Sequence, residues 1–250
     1  MKQILGIDLG SRSVKIAVRN GEDVAFRVFD TAKFFSELGK PSDAGFVLDR
    51  EKLDIDDDCP VHATGYGRNS LNIANAEIVP EIQAHTLGAI EQTGIEDFTL
   101  IDLGGQDSKV VRVEAGRVAG FRMNDRCAAS AGRYIENMAG VLGMSLEEIS
   151  LHWENPEKLT STCAVFGESE IVAKLAKGVD RARLASGVNL QIVNKISAEL
   201  EAMPPRIIVL VGGVALNIAI PRLLAQKFKI SVIIPEFPQF NAVIGLVSGK

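Results

Sequence analysis

Two short segments of this chain carry the same potential chemistry at the same spacing. The first reads Gly6-Ile7-Asp8-Leu9-Gly10-Ser11-Arg12-Ser13-Val14-Lys15-Ile16, and the second Leu100-Ile101-Asp102-Leu103-Gly104-Gly105-Gln106-Asp107-Ser108-Lys109-Val110. Asp8 matches Asp102, Gly10 matches Gly104 and Lys15 matches Lys109, always 94 positions apart (102−8, 104−10, 109−15). An aspartate at the end of an apolar strand can hold a magnesium ion, usually through its waters. A glycine turn beyond it lets backbone N–H groups approach a phosphate closely. Two such copies facing each other would clamp one polyphosphate from both sides. Either segment alone is equally an ordinary β-hairpin with a glycine turn. The match of Asp, Gly and Lys at one offset selects the phosphate reading.

A third glycine turn lies late in the chain, Ile207-Ile208-Val209-Leu210-Val211-Gly212-Gly213-Val214-Ala215-Leu216-Asn217. An apolar strand runs into Gly-Gly and a helical pattern follows, the form of a turn that presents N–H groups to a ligand. Beside the repeat it suggests an adenosine site. The remaining reactive side chains are three cysteines, Cys59, Cys127 and Cys163. An odd count with no secretory signal argues against a disulfide framework.

The elements that must position these residues follow from pattern. Ile4–Asp8 and Leu100–Leu103 read as strands, with second strands from Val14 and Val110 and third strands over Val24–Phe29 and Val118–Met123. Helical spacing runs over Pro80–Glu91, Gly132–Val141, Glu170–Lys177, Arg181–Met203 (stopped by Pro204-Pro205) and Asn241–Ser248. Thr31–Pro60 has the weakest pattern, with Asp54–Asp58 as an exposed acidic loop. Two subdomains are expected: 1–95, against which the C-terminal helix of 240–250 packs, and 96–239.

Composition sets outer bounds. The 250 residues are 46% hydrophobic and 24% charged, so a packed core is expected. A net charge of −5 disfavours nucleic-acid binding, which needs a basic surface. No apolar run reaches the roughly 18 residues of a membrane span, and the N-terminus does not read as a signal peptide. A cytoplasmic protein is the expectation.

The three glycine turns resemble the two phosphate motifs and the adenosine motif of the acetate and sugar kinase, heat-shock chaperone and actin superfamily. More narrowly, four stretches resemble the ATP-dependent activators of 2-hydroxyacyl-CoA dehydratases and the related benzoyl-CoA reductase ATPase subunits, the BadF/BadG/BcrA/BcrD type. They are Ala63-Thr64-Gly65-Tyr66-Gly67-Arg68, Ile101–Asp107, Met123-Asn124-Asp125-Arg126-Cys127-Ala128-Ala129 and Ser161–Glu170. The family's usual Ala-Ala-Gly-Thr-Gly-Arg after the first cysteine is here Ala128-Ala129-Ser130-Ala131-Gly132-Arg133. These changes leave the ligands in place and bear on which partner docks there.

The resemblance implies an α/β, actin-like (ribonuclease H-like) fold with duplicated subdomains flanking a nucleotide cleft. It implies a homodimer in which Cys127 and Cys163 of each subunit hold one [4Fe–4S] cluster. The residues agree: such a cluster takes four thiolates, one chain has three cysteines, and a two-fold dimer supplies four from two. Each of the two cysteines also precedes a helical pattern, whose N-terminus favours an anionic group. Cys59 matches no motif and reads as incidental.

The implied activity is ATP hydrolysis coupled to one-electron transfer to an iron–sulfur dehydratase or reductase, with ferredoxin or flavodoxin as donor. Gly10, Ser11, Arg12, Ser13, Gly104, Gly105 and Gln106 would bind the phosphates of ATP or ADP, and Asp8 and Asp102 would orient Mg²⁺. Gln106 is the candidate for holding the attacking water, with Asp107 second. Lys15 reads either as a phosphate neutraliser or as a solvated strand lysine. Gly212, Gly213 and Asn217 would line the adenosine. His62, His85 and His152 lack metal-site spacing and read as structural, Trp153 as a core or interface residue, and Glu168 and Glu170 as the opening of a helix. The rival readings are a small-molecule kinase of the same fold without a cluster, and a non-enzymatic, filament-forming module.

Overall fold

The computed structural model describes residues 3–65, 73–124, 131–161 and 163–249. The chain divides into two compact units, Met1–Ile95 with Phe240–Lys250, and Glu96–Gln239.

The first unit opens with an antiparallel meander, β1 (Gln3–Leu9), β2 (Ser13–Asn20) and β3 (Asp23–Asp30). Asp30 ends β3 and starts α1 (Thr31–Glu37), its carboxylate accepting from the N–H groups of Ala32 and Lys33. A small hairpin, β4 (Gly39–Ser42) and β5 (Gly45–Leu48), and a one-turn α2 (Arg50–Leu53) follow. Thr31–Pro60, where sequence pattern is weakest, is therefore structured. Its elements are too short for periodicity to register, and they are held by an aromatic cluster of Phe29, Phe34, Phe35 and Phe46. The acidic loop after Asp54 is exposed apart from the inward Ile55. Then β6 (Val61–Thr64) returns beside β1 in parallel, β7 (Ala76–Ile78) adds to it, and α3 (Glu81–Thr93) ends at Gly94 in the left-handed region.

The second unit repeats the scheme. It runs β8 (Phe98–Leu103), β9 (Ser108–Glu114), β10 (Arg117–Asn124), α4 (Gly132–Leu142), α5 (Leu146–Ser150), α6 (Ala164–Ala176), α7 (Arg181–Ala202), β11 (Ile207–Val211), α8 (Ala219–Phe228) and β12 (Ser231–Ile233). The chain then re-enters the first unit as α9 (Asn241–Val247).

The two sheets have the same order, β3-β2-β1-β6-β7 and β10-β9-β8-β11-β12. They also have the same register at the repeated residues: Asp8 faces Lys15 across β1–β2, and Asp102 faces Lys109 across β8–β9. The sequence offset is thus a repeat of strand pairing. β1 and β8 sit at the centre of their sheets, which explains their near-continuous apolar runs.

Helix boundaries follow local chemistry. Asp180 caps α7 through the N–H groups of Ala182 and Arg183, and the helix stops before Pro204. Ser145 and Glu148 form a reciprocal capping box at α5. Two sequence expectations need correction. α6 begins at Ala164 rather than near Glu168 or Glu170, because the Cys163 carbonyl already accepts from the Gly167 N–H at 2.8 Å. The exposed Val165 and Phe166 at its start break the amphipathic pattern that would have revealed it. After Gly212 no α-helix follows directly. A 3-10 turn, Gly213–Leu216, intervenes, and Asn217 then starts the chain into α8. The helical pattern expected to follow Cys127 is described from Gly132 onward, and Cys127 itself lies outside the described residues.

Candidate functional site

In the first unit the site begins where β1 ends. Asp8 is 7% exposed, and its Oδ2 takes a hydrogen bond from the Lys15 ammonium at 3.3 Å. The chain turns at Gly10, whose N–H donates to the Asp8 carbonyl, and exposes Ser11 and Arg12 before β2. The Thr31 hydroxyl donates to the Gly10 carbonyl at 2.9 Å and pins the turn from α1. Lys15 is thus a partner of the strand-end carboxylate.

The second unit builds the same turn more deeply. Asp102 is 4% exposed and Lys109 3%. The Lys109 ammonium donates to Asp102 Oδ2 at 3.2 Å and to Asp107 Oδ2 at 2.6 Å. Asp107 stands where the first copy has Ser13 (107−94), so the second turn has one extra carboxylate. Gly104, Gly105 and Gln106 form the half-exposed turn, closed by the Gly104 N–H donating to the Asp107 carbonyl.

A second glycine stands against each aspartate, and only one of these was assigned a role from sequence. Gly212, at the end of β11, has φ +88°; a Cβ there would lie 2.6 Å from Asp102 Oδ1. Gly65, at the end of β6, has φ +107°; a Cβ there would lie 2.8 Å from Asp8 Oδ1. β6 and β11 hold the same place in their sheets, so Gly65 is the counterpart of Gly212. The signal was a short strand, Val61-His62-Ala63-Thr64, ending on glycine. Each aspartate therefore commits one oxygen to a lysine, while glycine keeps side-chain bulk away from the other. That cradle fits the hydrated magnesium of a bound nucleotide.

Asn217 is placed differently from Gly212 and Gly213. It is buried, its Oδ1 accepts from the N–H groups of Ala219 and Ile220, and its Nδ2 donates to Asn189 Oδ1 at 3.0 Å. Its amide therefore shapes the turn after Gly213.

The phosphate-type turn of the second unit is bonded directly to a helix start. The N–H of Gly132 donates to the Gly104 carbonyl at 3.1 Å, and that of Arg133 to the Gly105 carbonyl at 3.0 Å. These are first-turn N–H groups of α4, which lack helical partners of their own. The segment entering α4 carries Cys127.

Cys163 is the N-cap of α6, half-buried, unbridged and not spent on a side-chain cap. Val165 and Phe166 follow it, and Phe166 is 71% exposed. A thiol at a helix N-terminus beside exposed apolar side chains fits one ligand of an anionic metal–sulfide group at a subunit seam. The other expected ligand lies outside the described residues.

The bystanders are accounted for. Cys59 is buried, and burial pushes its thiol pKa up, so it stays a neutral thiol. His62 Nδ1 lies 2.7 Å from the Leu246 carbonyl, and His85 packs with Asn241. Trp153 packs against the core, with the Arg222 guanidinium 4.1 Å over its ring.

Comparison with known proteins gives consistent findings. The model of the BadF/BadG/BcrA/BcrD ATPase family matches residues 5–247. The chain is 35% identical to the activator of lactoyl-CoA dehydratase of Anaerotignum propionicum, over 96% of this chain and 94% of that one. It is 32% identical to the 2-hydroxyisocaproyl-CoA dehydratase activator of Clostridioides difficile, over 96% and 92%. Among solved structures, the activator of the 2-hydroxyisocaproyl-CoA dehydratase from Clostridium difficile with bound ADPNP superposes with a TM-score of 0.82 at 30% identity, covering 98% of this chain and 92% of that one. The actin-like α/β fold expected from the glycine turns is the fold found.

Proposed function

The chain belongs to the BadF/BadG/BcrA/BcrD ATPase family, and on that premise we propose that it hydrolyses ATP to drive single electrons at low potential to a partner iron–sulfur enzyme. The partner is of the 2-hydroxyacyl-CoA dehydratase or benzoyl-CoA reductase class, the classes named for its relatives. One observation carries this reading: the aspartate–lysine pair and glycine turn are built twice, in the same register of two like sheets.

Hydrolysis by such a site is positioning and charge stabilisation. Backbone N–H groups of Ser11, Arg12 and Ser13 and of Gly105 and Gln106 bind phosphate oxygens, in turns closed by the N–H groups of Gly10 and Gly104. Asp8 and Asp102 would hold the waters of Mg²⁺, and the bonds from Lys15 and Lys109 fix their rotamers. Gln106 orients the attacking water, because an amide both accepts from it and donates to it. Asp107, already held by Lys109, is the second candidate for that task. Gly212 and Gly213 line the adenosine, and Asn217 fixes their turn.

Cys127 and Cys163 of two copies would hold one [4Fe–4S] cluster, which supplies a one-electron store when bound. Ferredoxin or flavodoxin is the proposed donor. The bonds from Gly132 and Arg133 to the Gly104–Gly105 carbonyls support coupling within the second unit. A shift of the phosphate turn pulls on the start of α4 and so on the segment bearing Cys127. The kinase reading draws no support from relatives named as dehydratase activators.

Oxygen-free purification followed by native mass, iron and sulfide analysis, and ATPase assay tests this. The expected result is a dimer with one cluster per two chains, hydrolysing ATP without a small-molecule acceptor. Gln106→Ala should lower kcat roughly 10²-fold with KM little changed. A monomer lacking iron would overturn the electron-transfer reading, and an undiminished Gln106→Ala rate would remove the water assignment.

A further inference from the structure

The chain approaching Cys163 is fastened to the helices beneath it at successive residues. Glu157 pairs with Lys174 of α6 at 2.7 Å and Arg183 of α7 at 2.8 Å. The Leu159 carbonyl accepts from the Gln191 amide of α7. Closest to the cysteine, one carboxylate takes up the backbone: Glu170 accepts from the Thr160 N–H at 2.9 and 3.0 Å, from the Thr160 hydroxyl at 3.2 Å and from the Ser161 N–H at 2.8 Å. The Ser161 hydroxyl then donates to the carbonyl of Cys163 itself at 3.1 Å.

We propose that Glu170 is a positioning residue for Cys163, holding the thiol at the start of α6 in a single direction by clamping Thr160 and Ser161 to the second turn of that helix. The proposal rests on the reading of Cys163 as a cluster ligand, and it names the outer-shell group that makes the thiol a preorganised one. Charge-assisted bonds from backbone N–H groups to a carboxylate are stronger than neutral ones, and outer-shell partners of this kind set how firmly a ligand holds its metal. Burial raises the Glu170 pKa, but the bonds from Ser161 and Thr160 outweigh it and bring the carboxyl below its ordinary range, so the clamp is ionised at neutral pH. Glu157, farther back along the same strap, is the internal control, since it ties the strap without touching the residues next to Cys163.

The test uses the full-length protein in two forms. In iron-free protein, alkylation by iodoacetamide is followed at the Cys163 peptide by mass spectrometry for the parent, E170A, E170Q and E157Q. In iron-loaded protein, loss of iron to a chelator and the electron paramagnetic resonance line shape are recorded for the same set. E170A should change the Cys163 alkylation rate severalfold and, as for other outer-shell losses, release iron on the order of tenfold faster. E170Q, which keeps one acceptor oxygen, should lie between E170A and the parent. E157Q should lower the melting temperature while leaving both Cys163 readouts at the parent's values. Parent-like alkylation and iron loss in E170A overturn the proposal, as does an E157Q effect on Cys163 as large as that of E170A. If the parent takes up no iron, the cluster reading fails separately, and the alkylation arm alone decides the role of Glu170.

Discussion

At the scale of single residues, burial decides which duplicated partner matters more. Lys109 is 3% exposed and bridges Asp102 and Asp107, whereas the side chain of Lys15, which meets Asp8, is 22% exposed. Removing one member of a buried ion pair costs about 3–5 kcal/mol, because the remaining charge stays in low dielectric. A more solvated pair contributes about 1 kcal/mol or less. Lys109→Met should therefore lower stability severalfold more than Lys15→Met in urea denaturation, and equal losses would show that the two copies are energetically alike. Tyr134 gives a second prediction. Its hydroxyl is fully buried and has no hydrogen-bond partner among the described residues. Burial, with the nearby Glu170 charge, pushes its pKa up to about 12. The unfolded tyrosine ionises near pH 10, so between about pH 10 and 12 only the unfolded chain gives up this proton. The stability linked to Tyr134 is then intact below about pH 10 and falls by about 2–3 kcal/mol as pH rises to about 12. Tyr134→Phe should abolish that slope. At pH 7 it should be neutral or gain about 1 kcal/mol, since it removes an unsatisfied buried hydroxyl. A clear loss at pH 7 would show that the hydroxyl has a partner.

At the scale of elements, α3 and α9 meet through the absence of side chains. A Cβ on Gly88 would run into the Asn241 carbonyl, and one on Gly245 into the Ala84 carbonyl. The Asn241 amide exploits this approach, donating to the His85 carbonyl at 2.7 Å and accepting from Gln92 at 2.9 Å. Intrinsic propensity alone says that Gly88→Ala should stabilise a helix by about 1 kcal/mol. Contact with backbone outweighs that, since overpacking costs about 1–3 kcal/mol and here the obstacle cannot rotate away. Gly88→Ala should thus lower the urea midpoint, and a raised midpoint would mean that the helices separate freely. The boundaries of α6 carry a related lesson. Its first turn presents Val165 and Phe166 outward, so amphipathic spacing starts late although the backbone is helical from Ala164.

At the scale of the whole molecule, each unit has its own core, and the first depends on the far end of the chain. Val243, Ile244, Leu246 and Val247 of α9 are buried, and three of them pack with Ala17 and Ala84 in the first unit. Four such side chains at about 2 kcal/mol each approach the whole stability of an ordinary domain, about 5–15 kcal/mol. A chain ending at Gln239 should lose hydrogen-exchange protection in β1, β2 and α3 while α7 and β8 stay protected. Native-like protection of β1 in that truncation would show that the first unit is complete without α9. The second unit contains every segment named for coupling, from the Gly104–Gly105 turn through α4 to Cys163 and α6.

Much of this was legible in the residues themselves. Strand pairing is local, so the repeated Asp, Gly and Lys announced two like hairpins, and central strands buried on both faces announced themselves as apolar runs. The breaker Pro204-Pro205 stopped α7 almost to the residue. What the chain alone could not announce arises from contacts between distant segments. Gly65 became the counterpart of Gly212 only once β6 lay beside β1. Glu170 became a clamp on Thr160 and Ser161 only once the start of α6 was known, and Gly88 became necessary only where α9 crosses it. Sequence periodicity reports which face of an element is buried. It carries no information about which atom from elsewhere in the chain comes to rest against that face, because this is set by the packing of the complete fold.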